Sequence, residues 1–130
     1  MPFKKTWEDR GVYFRQEGAV TGEDLLECAE SLCSDERLPN LKYKIIEFVE
    51  GREFDVTANS IREVAAVDKR GAEINPAMKV AIVAPSALIV GMARMYELSG
   101  GDGAWETRVF ESMQEAREWV VSREPSLPHE

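Results

Sequence analysis

A chain of 130 residues can bury one sizeable core but not two. With 44% hydrophobic and 31% charged residues it falls among globular sequences, and disorder is excluded as its main state. Its net charge of −8 repels phosphate backbones and anionic bilayers, so no nucleic-acid or membrane-surface partner is expected.

Phe3 to Trp7 and Gly11 to Gln16 are short β-prone runs joined by a Glu-Asp-Arg-Gly turn. Thr21 and Asp24 then form a capping-box pattern, and Leu25, Leu26, Ala29 and Leu32 recur at helical spacing. Leu38-Pro39-Asn40 closes that unit. Leu41 to Val49 reads as a central strand.

The stretch Glu53–Val64 ("EFDVTANSIREV") passes from strand to helix, with Thr57 near the helix start. This second helix is predicted to run to about Glu73, with Ile61, Val64, Ala65 and Ala72 facing the core. Asn75-Pro76 breaks the chain, and Met78 to Ala84 is a buried strand. Ser86 caps a third helix, Ala87 to Leu98, and Ser99 to Ala104 forms a loop. The run "ETRVF" is a final strand. Ser112 and Glu115 form a capping box for a last helix, Met113 to Val121, which turns Met113, Ala116, Trp119 and Val120 inward.

The expected order is β-β-α-β-α-β-α-β-α. That alternation implies an α/β fold with a single layer of mixed, mainly parallel sheet. One domain is expected over residues 1–122, followed by a loose tail over 123–130. The N-terminal residues are charged and lack an apolar core behind them, so no secretory leader is expected. The uncharged run Val80–Ala93 is too short to span a bilayer and is split by Pro85-Ser86. A cytoplasmic protein without a transmembrane segment is expected.

The usual catalytic constellations are missing. Cys28 and Cys33 are spaced to diverge on a helix, and the single histidine, His129, lies in the tail, so no disulfide, metal or other cofactor is expected. There is no GxSxG elbow and no histidine to serve a nucleophile. The glycines between Gly100 and Gly103 follow a helix, which suits a flexible connection better than a phosphate cradle. Glu23, Asp24, Glu27 and Glu30 read as the outer face of the first helix, and Asp68, Lys69 and Arg70 as the outer face of the second. The expectation is a non-catalytic chain.

The third helix carries more apolar surface than one buried stripe requires. Leu88, Met92, Met95 and Leu98 make one stripe; Ile89, Ala93 and Tyr96 make another, with Val90 beside them. Deep burial explains this. So does an exposed patch for a partner, a second copy of the chain or a lipid-like ligand.

Three pieces of the chain resemble the STAS-like superfamily, the fold of bacterial anti-sigma-factor antagonists and of the cytoplasmic domains of sulfate transporters. They are "YKIIEFVEGREFDVTANSIREVA", "KVAIVAPSALIVGMARMYELSG" and "ETRVFESMQEAREWV", which together cover most of Tyr43 to Val120. The pattern looks most like the small stand-alone SpoIIAA-like proteins. The resemblance implies a regulatory protein-binding module in which a partner kinase phosphorylates a serine at the start of the second helix. Matching Asp55 to the family aspartate puts Thr57 at a phosphoacceptor position and Ala58 at the glycine; a register two residues later puts Asn59 at the phosphoserine and Ser60 at the glycine.

Asp55, Thr57, Asn59 and Ser60 are thus the candidate partner-binding or phosphorylation corner, beside the plain reading of Thr57 as a helix cap. The alternative function is a small-ligand or lipid carrier. Its pocket would lie between the third helix and the sheet, lined by Ile89, Met92, Met95 and Tyr96.

Overall fold

The computed structural model describes residues 2–122. His129 and the expected tail over 123–130 lie outside the described residues. β1 (Phe3–Trp7) and β2 (Gly11–Gln16) form the antiparallel hairpin, with Phe3 opposite Gln16 and Trp7 opposite Val12. A two-residue strand β3 (Val20–Thr21) leads into α1 (Gly22–Cys33), and a 3-10 turn (Leu38–Asn40) precedes β4 (Tyr43–Glu47). A second short strand, β5 (Phe54–Asp55), precedes α2 (Ala58–Ile74). Then come β6 (Lys79–Val83), α3 (Ala87–Gly100), β7 (Glu106–Phe110) and α4 (Met113–Val120).

The main sheet runs β1-β2-β4-β6-β7, parallel from β2 onward. β3 and β5 form a separate parallel pair that the sequence reading leaves out of its order. Two-residue strands carry too little periodicity to be read from sequence.

The connecting helices α1, α2 and α3 share one face of the sheet, with α2 packed between the other two. α4 alone covers the opposite face, where Ala116, Trp119 and Val120 meet Tyr43, Ile45, Ala81 and Val83. β4 is therefore buried on both sides, as a central parallel strand must be. The expected core faces hold. Ile61, Val64, Ala65 and Ala72 are buried on α2, as are Ala116, Trp119 and Val120 on α4.

Caps set the helix starts. The capping box of α1 is complete: Asp24 N–H donates to Thr21 Oγ1 at 3.2 Å, and Thr21 N–H donates to Asp24 Oδ2 at 2.9 Å. At α4 only half of the expected box forms. Glu115 N–H donates to Ser112 Oγ at 3.2 Å, while the Glu115 carboxylate meets the Ser112 hydroxyl instead of its backbone. Ser86 caps α3, which runs to Gly100, two residues past the expected Leu98. Gly101 then turns the chain at φ +60°, a conformation glycine adopts freely.

A polar latch ties α4 to the β1–β2 turn. Arg117 donates two hydrogen bonds to Glu8, at 2.6 and 2.7 Å, and the Tyr43 hydroxyl also donates to Glu8. The Tyr13 hydroxyl donates to Glu47 on the same face. On the other side, Asn75 is wholly committed. Its side-chain amide donates to the carbonyls of Leu38 and Leu41, and its backbone carbonyl accepts from Trp105 Nε1. The break read at Asn75-Pro76 is thus a buried junction.

Candidate functional site

The corner between β5 and α2 is held from below by Gln16. This fully buried side chain donates to the carbonyls of Gly18 and Glu53 and accepts from Val49 N–H. The β3–β5 pairing sets Thr21 beside Asp55, so α1 and α2 start side by side. They approach closely: a Cβ on Gly22 would fall 2.1 Å from Ser60 Oγ.

Thr57 is the N-cap of α2. Its Oγ1 accepts from Ser60 N–H at 3.1 Å, and its hydroxyl donates to Ser60 Oγ at 3.1 Å. Asp55, Thr57 and Asn59 are exposed, and Ser60 is half-buried against Gly22. The four residues named from sequence therefore sit together, with Thr57 and Ser60 bonded to each other.

The second candidate region is the space beneath α3. A cavity of about 50 Å³ lies between α2, α3 and the sheet. Of the four residues expected there, Ile89, Met92 and Tyr96 line it. Met95 does not. It is half-buried and packs against the edge of the core. Apolar side chains make most of the wall, among them Phe48, Phe54, Ile61 and Ile82.

One end of the cavity is polar, and here the structure corrects the sequence reading. Asp68, expected on the outer face of α2, is 3% exposed. Its Oδ2 accepts a 2.6 Å hydrogen bond from the Tyr96 hydroxyl and lies 3.7 Å from Lys44 Nζ. Lys44, the second residue of the central strand β4, is 5% exposed and points to the three-helix side. Cys33 Sγ approaches Asp68 Oδ1 at 3.7 Å.

The sequence reading assigns Lys44 no role and Asp68 to the outer face of α2, yet the signal for the burial of Asp68 is present. It completes the stripe Ile61, Val64, Ala65, Ala72 at helical spacing, so its position faces the core whatever its chemistry. A lysine within a strand covered on both faces is the matching signal for Lys44.

Burial, and then the Asp68 charge, pushes the Tyr96 hydroxyl well above the ordinary tyrosine value. The same two causes raise the Cys33 thiol to about 11, and burial raises Cys28. Neither thiol is an activated nucleophile. Among the described residues no group of three or more His, Cys, Asp or Glu could hold a metal ion.

The outer stripe of α3 is uncovered at both ends. Leu88 is 57% exposed and Leu98 81%, while Met92 and Met95 between them are half-buried. The inner stripe, Ile89 and Ala93, is buried. No helix among the described residues is long and apolar enough to cross a membrane.

Compared with known proteins, the chain matches no family model and no curated protein. Among solved structures it is similar to an uncharacterised protein of the DUF3478 family from Shewanella loihica PV-4, described as having a SpoIIAA-like fold. The two superpose with a TM-score of 0.54 at 17% identity, over 91% of each chain. The fold is SpoIIAA-like.

The architecture expected from the STAS-like resemblance is therefore present: an α/β chain with a mixed, mostly parallel five-stranded sheet and four helices. At this identity the likeness concerns the fold. In this SpoIIAA-like chain the corner at Thr57 lies at the start of α2, and the cavity beneath α3 lies against the same helix.

Proposed function

We propose that this chain is a non-catalytic binding module that holds one small, mainly apolar molecule between α3 and the sheet. The observation that carries the reading is the cavity itself: apolar walls from Phe48, Phe54, Ile61, Ile82 and Ile89, with a small polar group at one end. Such a lining is the common chemistry of ligand sites. The ligand-free volume of about 50 Å³ is well below the roughly 300 Å³ at which small-molecule pockets begin. Binding therefore requires α3 to move outward. Met92 is a flexible wall for that movement, and Gly91 lies on the exposed side of the helix.

Native mass spectrometry of the protein purified from its own cells tests this. A co-purifying mass that is lost on extraction with organic solvent is the expected result. Absence of any such mass, together with no binding across a panel of apolar probes, rejects the reading.

A second reading, regulatory protein binding, is supported by the exposed Leu88 and Leu98 and by the exposed Asp55, Thr57 and Asn59. It treats the outer face of α3 and the start of α2 as the contact surface, with phosphorylation of Thr57 as its control. Pull-down with a Leu88→Glu/Leu98→Glu variant checks it. A partner retained by that variant and by Thr57→Glu rules these surfaces out.

A further inference from the structure

We infer that the molecule held beneath α3 carries an uncharged hydrogen-bond acceptor oxygen, of the ketone, ester or alcohol kind, and that Lys44 recognises it; this deepens the ligand-binding reading above and rests on it. The cavity is chemically polarised along the sheet. Phe48 follows the carboxyl end of β4, and Ile61 and Ile89 stand in the first turns of α2 and α3. Lys44 lies near the amino end of the same strand, opposite Asp68 and Tyr96 further along the helices. From Lys44 to Phe48 the strand covers roughly 13 Å. An elongated molecule lying along it meets apolar side chains at one end and Lys44 at the other.

At the polar end the Asp68 carboxylate is the ion-pair partner of Lys44 among the described residues, and it accepts from Tyr96 while standing beyond hydrogen-bond reach of the ammonium. The single Tyr96 hydroxyl proton is used on Asp68. Every side-chain nitrogen or oxygen sealed from solvent among the described residues has a hydrogen-bond partner. The Lys44 ammonium is in a different position. Its side chain is 6% exposed and lines the cavity, and Asp68 Oδ2 at 3.7 Å is its ion-pair partner, beyond hydrogen-bond reach. The face of Phe14, 5.7 Å away, also attracts the cation but accepts no ordinary hydrogen bond. A nearly buried ammonium carries three N–H groups and favours an oxygen that enters the cavity.

Charge decides which oxygen. Lys44 and Asp68 already neutralise each other. A carboxylate or phosphate would gain Lys44 but meet Asp68 behind it, and would add one uncompensated charge to an apolar site. An ammonium head would meet the reverse problem. Either costs desolvation that the existing pair cannot return. An uncharged oxygen accepts from Lys44 and leaves the charge balance unchanged.

Calorimetric titration of the intact protein with a matched series tests this: heptyl methyl ketone, nonanol, nonanoate, nonylamine and nonane. The ketone and alcohol are expected to bind best, each at least about tenfold more tightly than the alkane, the acid or the amine. Equal affinity across the series, or preference for the acid or amine, overturns the inference while leaving a ligand-binding module intact. No binding by any member removes the ligand-binding reading as well. In Lys44→Met/Asp68→Asn, which removes both charges together, the ketone is expected to lose its advantage over nonane. A ketone preference that survives this double variant overturns the assignment to Lys44. The wild-type series decides the acceptor chemistry even where that variant does not fold.

Discussion

The Tyr96 hydroxyl on α3 donates a 2.6 Å hydrogen bond to Asp68 Oδ2 on α2, joining two helices through a polar contact inside a mainly apolar layer. This bond holds α3 over the cavity at the end opposite Phe48 and Phe54. Tyr96→Phe removes it and leaves Asp68 with Lys44 as its remaining charged neighbour. Equilibrium denaturation is expected to show a loss of about 1.5–3 kcal/mol, the range for hydrogen bonds to charged groups. Amide exchange in α3 should quicken more than exchange in β4.

The Lys44–Asp68 pair makes a sharper energetic prediction. Lys44→Met strands the Asp68 carboxylate in the core, and a loss of about 3 kcal/mol or more is expected. Lys44→Met/Asp68→Asn removes both charges and should unfold at higher denaturant than the single variant. A single variant as stable as the double one would mean that the pair is not energetically buried.

All three tyrosines should resist ionisation. Burial, followed by the hydrogen bond to a carboxylate, raises Tyr13 and Tyr43 to about 12, and Tyr96 stands well above its ordinary value. A raised folded value favours the protonated form in the native state. The associated stability is therefore complete below the unfolded value of about 10 and is lost as pH rises through the folded one. An ultraviolet titration should show no tyrosinate in the ordinary range, then a cooperative rise as the protein unfolds in alkali. Early ionisation of one tyrosine would contradict these contacts.

The Glu8–Arg117 latch acts at the acid end. The Arg117 hydrogen bond, the largest cause, holds the Glu8 carboxyl below the usual glutamate range, and Tyr43 adds to it against partial burial. A lowered folded value gives stability that is present above about pH 4.3 and lost as pH falls through the folded value. Glu8→Gln should therefore be less stable than wild type near neutral pH, by about 1 kcal/mol. The gap should close in acid and narrow in high salt, because Arg117 is partly exposed.

At the α2 corner, Thr57→Val should cost about 1 kcal/mol through loss of the cap to Ser60 N–H, and Thr57→Ser should cost little. Gly22→Ala tests the packing at the same place, since the new methyl would overlap Ser60. A loss of about 1–3 kcal/mol is expected, relieved in part by Ser60→Gly. Partner binding that falls with Thr57→Val at unchanged stability would instead mark the hydroxyl as a contact group.

Much of the fold was legible because its long elements carry strong periodicity. The stripe on α2 and the apolar runs of β4 and β6 each match one template over several residues. The β3–β5 pair was not legible, since its pairing is set by tertiary contact between the approaches to α1 and α2. The helix-start pattern places the corner residues at the beginning of α2, and the surplus of apolar surface on α3 points to Ile89, Met92 and Tyr96, three of the four residues expected beneath it, which line the cavity. Asp68 was misplaced because charge was read before position: its side chain suggested solvent, while its spacing placed it in the stripe. Met95 was misplaced by the reverse error, an apolar side chain on a helical face that the cavity does not reach.

By itself the sequence determined the alternation of strands and helices, their caps and the inward stripes, because these depend on neighbours a few positions away in the chain. Tertiary structure decided which charges would share the core. Lys44, Asp68 and Tyr96 come from three separate elements, and their meeting depends on β4 lying beneath α2 and α3. A side chain's local pattern states which way it faces. Only the packed structure states what it faces, and in a low-dielectric interior that partner decides whether a buried charge is compensated or stranded.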